Sequence, residues 1–355
     1  MKVSASGLSV EEIHFRLGRM DGVVKLNSNE NPLGPSKLAI AAYRDTAAAI
    51  HLYPPSPCRE LIGSLARKHR VAAHRIVLTA GSLELLDLLL RLQVGSNPGG
   101  SVLAAAPCFP ALVHRTTVNR LTLRQVPVKP DFSLSLSRLE QAVTPSTRLI
   151  YLANPDNPSG QALPAQALAD LAGRIPESTL LVVDEAYADY ADKPDVVSML
   201  DLELIPANVA VIRTFSKGYG LAGLRVGYGV LSPALTARVQ GLQLNFSISR
   251  PAQLAALAAL QDQDHLDNTV RLMRTGRVWL LHALHRLDCD PTPSQAGHVM
   301  FRPPLPASRL FQDLLNQGVV VRLLDYAGLP ERLRVSVGTL EENTIFHRAL
   351  ESALR

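Results

Sequence analysis

The sequence predicts an α/β protein: a large domain whose mainly parallel central sheet is covered by helices, followed by a smaller C-terminal α+β domain. Up to Pro251, short runs rich in Val, Ile and Leu alternate with longer segments of helical periodicity. Runs that are apolar on both faces and separated by helices are typical of a parallel sheet buried on both sides. After Pro251, one long helical stretch precedes shorter strands and helices.

The elements of the large domain follow from these runs in chain order. Strands are predicted at 76–79, 102–105, 149–153, 180–183, 209–214 and 225–230, with helices at 59–70, 83–93, 164–173 and 232–244. The strand runs are short and rich in branched residues, whereas the helical segments place apolar residues three and four positions apart.

The C-terminal part begins with a helical pattern from about 251 to 287, interrupted near 261–264. Further elements are predicted as strand 298–302, helix 307–316, strands 318–323 and 332–337, and helix 340–353. We therefore expect an N-terminal arm with one short helix (1–30), a large domain (31–248) and a small domain (249–355).

The composition indicates a globular protein and favours a small anionic ligand over nucleic acid. The 355 residues include 36 Lys and Arg and 31 Asp and Glu, a net charge of +5, and 47% are hydrophobic. This balance excludes a disordered chain, and the length excludes a small disulfide-stapled scaffold. The basic excess is too small to indicate a nucleic-acid surface and suits an anionic small molecule.

Three cysteines, Cys58, Cys108 and Cys289, show no CxxC or metal-ligand spacing. We therefore expect reduced thiols and no metal site. The N-terminal stretch carries charges where a signal peptide would be apolar, and no run reaches the roughly 18 apolar residues of a membrane span. The expected protein is soluble and cytoplasmic and binds no membrane.

The most informative segment is 213–225, RTFSKGYGLAGLR. Its pattern G-x-G-x-x-G at 218–223 binds dinucleotides only when a helix opens at the glycines and an acidic residue follows about twenty positions later. Here a strand is predicted at 225–230, and the next acidic residue is Asp262. Both observations argue against a nicotinamide cofactor.

The same segment contains Lys217, with Ser216 before it and Arg225 after the glycines. A lysine that forms a Schiff base needs a lowered pKa, which burial or neighbouring cations provide. Ser216 and Arg225 are suited to binding a phosphate. Considered alone, a lysine in a glycine-rich loop is more often an exposed surface residue.

Asp184 follows the apolar run 180–183, at the carboxyl end of a predicted buried strand, where ligands bind in open α/β sheets. A buried carboxylate needs a cationic partner, and a protonated pyridine nitrogen is one such partner. A helix N-cap is the alternative role for this aspartate.

Two more loops follow predicted strands. Segment 154–160, NPDNPSG, contains Asn157, which can donate to a phenolate-type oxygen, although the loop alone would suit an ordinary turn. Segment 79–84, TAGSLE, joins a strand to a helix whose first backbone amides form an anion site.

Together these segments resemble the pyridoxal-phosphate-dependent aminotransferases of fold type I, and in particular the histidinol-phosphate aminotransferase branch. The resemblance covers nearly the whole chain. It is carried, in family order, by KLNSNENPLGPS (25–36), NPDNPSG (154–160), DEAY (184–187), SKGYGLAGLR (216–225) and LRVSVG (333–338). It implies the fold type I architecture and pyridoxal 5'-phosphate as cofactor.

The resemblance also implies roles. Lys217 would form the internal aldimine and move the Cα proton, and Asp184 would pair with the pyridinium nitrogen. Tyr187, the third catalytic candidate, and Asn157 would hold the ring hydroxyl oxygen, while Phe109 would stack on the ring. The phosphate contacts are expected from Gly81, Ser82, Thr214, Ser216 and Arg225, with Tyr53 reaching across a homodimer interface from the neighbouring subunit.

Asn29, Arg334 and Arg322 are expected at the substrate. The implied reaction is ping-pong transfer of an amino group to 2-oxoglutarate, with L-histidinol phosphate as the favoured donor. The branch's Tyr-x-Pro-Gly element is replaced here by Ser4-Ala5-Ser6-Gly7. That departure leaves the donor open, with aromatic or other amino acids as alternatives.

Other reactions on the same scaffold also stay open: decarboxylation of a phosphorylated amino acid, or oxidation of an amino acid. A non-catalytic protein that senses pyridoxal phosphate is disfavoured, because only about 25 residues precede the 25–36 segment, too few for a helix-turn-helix module.

Overall fold

The computed structural model describes residues 8–18, 21–96 and 99–355. The described helices are α1 Val10–Leu17, α2 Lys37–Asp45, α3 Arg59–His69, α4 Ser82–Ser96, α5 Pro110–Val118, α6 Leu136–Gln141, α7 Ala165–Arg174, α8 Pro233–Leu242, α9 Arg250–Gln261, α10 Gln263–Arg286, α11 Ala307–Asn316 and α12 Leu340–Leu354. The described strands are β1 Val24–Lys25, β2 Ile76–Thr79, β3 Ser101–Ala106, β4 Thr122–Pro127, β5 Thr147–Ala153, β6 Leu180–Asp184, β7 Val209–Thr214, β8 Gly227–Val230, β9 Asp290–Pro291, β10 His298–Arg302, β11 Val319–Val320, β12 Arg322–Leu323 and β13 Leu333–Ser336.

The central sheet has the strand order β2-β8-β7-β6-β5-β3-β4. Strands β3 to β7 pair in parallel, and β8 runs antiparallel to both of its neighbours. The predicted fold class, a mainly parallel sheet with helices, is confirmed.

Both faces of this sheet are covered, which explains why its strands are apolar throughout. In β7, Val209 and Val211 pack with α3, α7 and α9 on one face. Ala210 and Ile212 pack with α4, α5 and α8 on the other. Each strand therefore buries consecutive residues, because alternate side chains point to opposite faces.

Most predicted elements are confirmed, and several coincide with the structure at both ends, namely the strands 76–79, 209–214 and 298–302 and the helix 307–316. The sequence analysis missed α2, α5, α6 and β4, and the two-residue strands β1 and β9. Strand β4 lies at the sheet edge, and only Val126 of its six residues is buried. An edge strand with polar residues lacks the apolar run on which the other strand predictions depended.

The C-terminal part contains an antiparallel sheet in the order β12-β13-β10-β9. The predicted strand 318–323 is two short strands, because β11 pairs with β1 whereas β12 pairs with β13. Strands β1 and β11 pair in parallel as a separate two-stranded sheet, which attaches the N-terminal arm to the C-terminal part.

The hydrophobic cores divide the chain at a different place from the predicted boundary at 248. Helix α9 packs in the core of the central sheet through Ala252, Ala255 and Ala256. The second core begins within α10 at Met273 and includes Ile13 of the arm. Asp262 separates α9 from α10, and its side chain caps α10 by accepting a hydrogen bond from the His265 amide at 3.2 Å. The domain limits 1–30, 31–248 and 249–355 stay a prediction.

Across the described ranges, no helix combines the length and the apolar character that a membrane crossing requires.

Candidate active site

A cavity of about 360 Å³ lies where the central sheet meets the N-terminal arm and β13. Ala153, Asp184 and Thr214, the last residues of the neighbouring parallel strands β5, β6 and β7, all line it. The cavity therefore sits beyond the carboxyl ends of the strands, the usual ligand position in open α/β sheets. Among the predicted site residues it is lined by Asn29, Ser82, Phe109, Asn157, Asp184, Tyr187, Thr214, Ser216, Lys217, Arg225, Arg322 and Arg334.

Lys217 lies in the loop between β7 and β8, and its Nζ atom donates to the Ser28 carbonyl of the arm at 3.0 Å. The same atom is 5.7 Å from the centre of the Tyr187 ring. Burial, and after it the Arg334 and Arg225 guanidinium groups, lower the pKa of Lys217 to about 8. The loop thus holds a buried amine that is partly neutral near physiological pH.

Gly220 of this loop is required by close packing. Gly220 has φ +68°, and a Cβ atom there would lie 2.1 Å from the Gly34 carbonyl oxygen. Only glycine combines that left-handed conformation with the close approach of another backbone. Gly220 therefore allows the lysine loop to pack against the backbone that precedes α2.

Asp184 is held from two sides at the end of β6. The Tyr151 hydroxyl donates to Asp184 Oδ2 at 2.9 Å, and the Ala186 amide donates to Oδ1 at 3.1 Å. Burial raises the pKa of Asp184 above its usual value, whereas the hydrogen bonds from Tyr151 and Ala186 and the charge of Lys217 act in the opposite direction. A cation against this carboxylate would compensate for its burial.

An anion site lies at the start of α4. Arg225 has φ +55° and donates to the Ser216 hydroxyl at 3.2 Å. Its guanidinium is so close to Gly81, which precedes α4, that a Cβ atom at Gly81 would lie 2.3 Å from Nη2. The first-turn amides of a helix, beginning here with Ser82, have no intrahelical acceptor, and together with an arginine they form an anion-binding site.

Thr214 stabilises the same corner, because its hydroxyl accepts the Ser216 amide at 3.0 Å. The structure thus brings together the phosphate contacts expected at Ser82, Thr214, Ser216 and Arg225, with Gly81 behind the guanidinium.

A second cationic group faces the opposite part of the cavity. Arg334 of β13 donates to Asn157 Oδ1 at 2.5 Å and to the Asn27 carbonyl at 2.8 Å. Its Nε atom is buried with no hydrogen-bond partner among the described residues. The Arg322 guanidinium stacks on the Tyr326 ring at 4.3 Å. Two buried guanidinium groups at this end are suited to an anionic substrate.

Tyr187 accepts a hydrogen bond from the Asn29 side chain at 3.0 Å, and burial raises its pKa above the usual value. The Asn29 nitrogen is also 3.0 Å from His298 Nδ1. Asn29, which the sequence analysis assigned to the substrate, therefore uses its side chain within the protein although it borders the cavity.

Phe109 borders the cavity, whereas Tyr53 does not. Tyr53 is 80% exposed, and its ring stacks on Phe246 at 4.8 Å. Within one chain, Tyr53 is therefore not brought to the other predicted cofactor contacts. The Tyr-x-Pro-Gly departure at residues 4–7 lies outside the described residues.

The sequence analysis missed several residues of the site, namely Asn27, Ser28, Tyr151, His298, Ser336 and Tyr326. The Asn27 carbonyl accepts a hydrogen bond from Arg334, and the Ser28 carbonyl accepts one from Lys217. Tyr151 had a detectable signal, because it is the one polar side chain in the apolar run 149–153. The others act through contacts with residues far away in the sequence, and no local pattern marks them.

This donor set fits a phosphorylated aromatic aldehyde. The helix terminus with Arg225 would bind the phosphate, Asp184 a protonated ring nitrogen, and Lys217 the carbonyl carbon. The corner at Gly81 supports this fit. A side chain at Gly81 would occupy the space beside the Arg225 guanidinium, where the phosphate would bind.

Comparison with known proteins assigns these features to one family. The family model described as aminotransferase class I and II matches residues 21–350. Histidinol-phosphate aminotransferase from Oleidesulfovibrio alaskensis is 42% identical over 359 residues, covering 100% of this chain and 93% of that protein. The enzyme of the same name from Nitratidesulfovibrio vulgaris strain Hildenborough is 40% identical, covering 98% and 93%.

Among solved structures, the chain is similar to histidinol-phosphate aminotransferase from Sinorhizobium meliloti in complex with pyridoxal-5'-phosphate. The TM-score is 0.88 at 28% sequence identity, and the match covers 98% of this chain and 95% of that one.

Proposed function

The chain belongs to the family of class I and II aminotransferases, and from this premise we propose that it transfers the amino group of L-histidinol phosphate to 2-oxoglutarate with pyridoxal 5'-phosphate as its cofactor. Relatives at 40–42% identity over nearly their whole length carry the name histidinol-phosphate aminotransferase. A similar solved structure holds the same cofactor.

The proposal depends on one observation: Lys217, whose pKa is lowered to about 8, shares a cavity with Asp184. Arg225 borders this cavity at one end, and Arg334 and Arg322 border it at the other. A neutral amine can attack a carbonyl carbon, whereas an ammonium group cannot. At pH 7, a pKa of about 8 leaves roughly one amine in ten neutral, compared with fewer than one in a thousand for an ordinary lysine. The site thus makes this lysine reactive.

The cofactor would be held at its phosphate, its ring nitrogen and its ring oxygen. Its phosphate would take the first amides of α4 with Arg225 and the nearby hydroxyls. Asp184 would face the ring nitrogen, and Tyr187 and Asn157 the ring oxygen. When bound, this group supplies an electron sink that stabilises negative charge at the substrate Cα.

The protein's own groups manage protons and orientation around that sink. Lys217 Nζ, when neutral, would be the base that takes the Cα proton of the substrate. Asp184 keeps the ring nitrogen protonated, and Tyr151 and the Ala186 amide hold the carboxylate in place for this task. Asn157 has its oxygen occupied by Arg334, which leaves its amide hydrogens for the ring oxygen.

The substrate end is suited to dianionic molecules. Histidinol phosphate carries a phosphate and 2-oxoglutarate carries two carboxylates, so one set of guanidinium groups can serve both half-reactions. Arg334 and Arg322 lie buried at this end, where a planar guanidinium binds such oxyanions in a bidentate manner. This charge requirement favours histidinol phosphate over uncharged aromatic side chains.

We also propose that the active form is a homodimer. Leu52, Tyr53, Leu244 and Phe246, which we call the apolar patch, are all exposed, and the Tyr53–Phe246 ring stacking joins its two segments. A second copy covering this patch would bury it, and Tyr53 would then be available to the partner's phosphate site.

The test is an amino-donor comparison with 2-oxoglutarate and added pyridoxal phosphate, in which glutamate formation is measured. We expect kcat/KM for L-histidinol phosphate to exceed that for L-phenylalanine or L-arginine by at least about a hundredfold, because neither of these donors carries the phosphate that would bind at the buried guanidinium end of the cavity. Release of carbon dioxide or uptake of oxygen in proportion to turnover would instead indicate a decarboxylase or an oxidase.

The matching variant is Lys217→Ala, with Lys193→Ala as the control at an exposed lysine. Borohydride reduction of wild-type protein should attach pyridoxal phosphate to the peptide that contains Lys217, as detected by mass spectrometry. Lys217→Ala should lose this adduct and turnover, and Lys193→Ala should keep both. Turnover retained by Lys217→Ala would contradict the proposal.

A further inference from the structure

The Tyr187 hydroxyl is the end of a buried polar network formed by three distant parts of the chain. Asn29 Nδ2 lies 3.0 Å from the Tyr187 hydroxyl and 3.0 Å from His298 Nδ1. The Ser336 hydroxyl donates to Asn29 Oδ1 at 2.9 Å. Asn29, His298 and Ser336 come from the arm, β10 and β13, and each is at most 4% exposed.

The donors and acceptors of this network have one consistent assignment. An amide nitrogen carries two hydrogens and accepts none, so Tyr187 and His298 Nδ1 are both acceptors towards Asn29. A neutral His298 therefore carries its proton on Nε2, a buried atom that has no hydrogen-bond partner among the described residues. The hydrogen of the Tyr187 hydroxyl is not used by this network, and Tyr187 borders the cavity.

Ser336 determines which way the Asn29 amide faces. The Asn29 backbone amide donates to Ser336 Oγ at 2.8 Å, which leaves the single hydrogen of Ser336 for Asn29 Oδ1. Asn29 has φ +54°, a left-handed conformation that asparagine tolerates better than most residues. The oxygen of the amide thus faces Ser336, and the nitrogen faces Tyr187 and His298.

His298 is kept neutral by its surroundings. Burial, and after it the charges of Arg334 and Lys217, hold the pKa of His298 well below its usual value. A doubly protonated ring would place a hydrogen on Nδ1, against a hydrogen of Asn29. The T-shaped contact of the Tyr187 and His298 rings, with centres 5.2 Å apart, further restricts both rings.

We propose that Asn29 and His298 are positioning residues that keep the Tyr187 hydroxyl as an acceptor on the protein side, so that it donates its own proton to the anionic ring oxygen of the bound cofactor. The inference depends on the proposed function, because it assigns the recipient of that proton. Asn29 and His298 would together orient the hydrogen bond from Tyr187 to the cofactor ring oxygen. This role replaces the substrate contact expected for Asn29.

The first experiment needs no cofactor. In protein labelled with ¹⁵N-histidine, long-range ¹H–¹⁵N spectra report which ring nitrogen carries the proton, and His298→Leu identifies the signal. We expect a neutral His298 ring with the proton on Nε2 between pH 6 and 8. A proton on Nδ1, or a charged ring, would overturn the assignment.

The second experiment follows the visible absorption of bound pyridoxal phosphate against pH. Loss of the hydrogen bond from Tyr187 leaves more negative charge on the ring oxygen, so protons bound beside it are released at higher pH. We expect Tyr187→Phe to raise the pH midpoint of the absorption change by about half to one pH unit, which is the equivalent of one hydrogen bond. His298→Leu should raise it by less. Asn29→Asp, which has no side-chain hydrogens to donate and draws the hydroxyl proton towards itself, should approach the Tyr187→Phe value.

Two comparisons separate positioning from general damage. His347→Leu removes a partly buried histidine that contacts Trp279, away from the cavity, and should leave the midpoint unchanged. Adding His298→Leu to Tyr187→Phe should produce no further shift, because His298 acts only through the Tyr187 hydroxyl, which Tyr187→Phe has already removed. Additive shifts would show that His298 acts independently of Tyr187. A protein that binds no pyridoxal phosphate would contradict the proposed function, whereas the histidine spectra test the network by themselves.

Discussion

At the scale of single residues, burial shifts the pKa values of the lysine and the aspartate of the site. Lys217 is an ordinary lysine in composition, but burial and two guanidinium groups lower its pKa to about 8. Asp184 is buried too, and its hydrogen bonds from Tyr151 and Ala186 offset part of the burial cost. Each group is therefore held in a state that water alone would not favour.

The lowered pKa predicts how Lys217 reacts in cofactor-free protein. Its amine is protonated and unreactive below pH 8 and becomes neutral above it, so acetylation at Lys217 should rise with a midpoint near pH 8. Arg334→Gln should move the midpoint upward, because it removes one of the charges that disfavour the ammonium form. Mass spectrometry of the Lys217 peptide after brief exposure to acetic anhydride measures both.

Exposed Lys193 in the same digest is the internal reference. If acetylation of Lys217 and of Lys193 shows the same pH dependence, the lowered pKa of Lys217 is contradicted.

At the scale of elements, the site is built from the ends of strands and the start of one helix. β6 and β7 end at Asp184 and Thr214 as neighbours in the sheet, and the lysine loop follows β7 directly. Helix α4 begins where β2 ends, next to β8. A Cβ atom at Gly227 of β8 would lie 2.4 Å from the Ser82 amide nitrogen. The proposed phosphate site thus depends on close backbone packing between β8 and α4.

Gly81→Ala tests this corner. Gly81 has φ +85°, and the added Cβ would meet the Arg225 guanidinium at 2.3 Å. We expect a loss of about 1 kcal/mol in stability from the left-handed backbone, together with at least a tenfold weaker affinity for pyridoxal phosphate because Arg225 is displaced. Thermal unfolding of the cofactor-free protein and fluorescence titration with the cofactor measure the two effects.

Gly22→Ala is the matched control, because Gly22 has φ +73° with no atom within 4 Å of the new Cβ. It should lose similar stability and keep its cofactor affinity. Equal affinity losses in the two variants would indicate that the Arg225 contact is not the cause.

At the scale of the whole molecule, the cavity exists only where three parts of the chain meet. The central sheet supplies Lys217 and Asp184, the arm supplies the carbonyls of Asn27 and Ser28, and the C-terminal sheet supplies Arg334. The Arg334–Asn157 hydrogen bond joins the C-terminal sheet to the loop after β5. The packing of the arm and both sheets therefore places Arg334, the residue proposed to bind substrate, in the same cavity as Lys217.

The proposed dimer predicts that a charge in the apolar patch separates the subunits. Leu244→Asp should give a monomer at micromolar concentration in analytical ultracentrifugation, because a buried carboxylate without a partner opposes association. Cofactor affinity should fall in the same variant, since Tyr53 would no longer reach the partner's phosphate site.

Leu204→Asp provides the control: Leu204 is 79% exposed and Leu244 is 76% exposed, but Leu204 lies outside the patch. It should leave both the mass and the cofactor affinity unchanged. A wild-type protein that sediments as a monomer would contradict the dimer.

Much of the fold was predictable because its information is local. The buried strands β2, β5, β6 and β7 are recognisable in the sequence as short apolar runs. The break predicted near 261–264 corresponds to Asp262, which caps α10. Strand β4 could not be predicted, because an edge strand needs neither an apolar face nor a continuous pattern. The packing of α9 against the central sheet, beyond the predicted boundary, also depends on contacts that no local pattern contains.

For the site, the sequence by itself predicted the buried strands, the lysine, the strand-end aspartate and the proposed phosphate corner, because each of these residues lies at or shortly after the end of an apolar strand. Only the tertiary structure decided that Tyr151 holds Asp184, that Asn29 faces Tyr187 and His298, and that Tyr53 is exposed. The Asn29 contacts join residues 158 to 307 positions apart. Such contacts follow from how the arm and the two sheets pack, and that packing is a property of the whole chain.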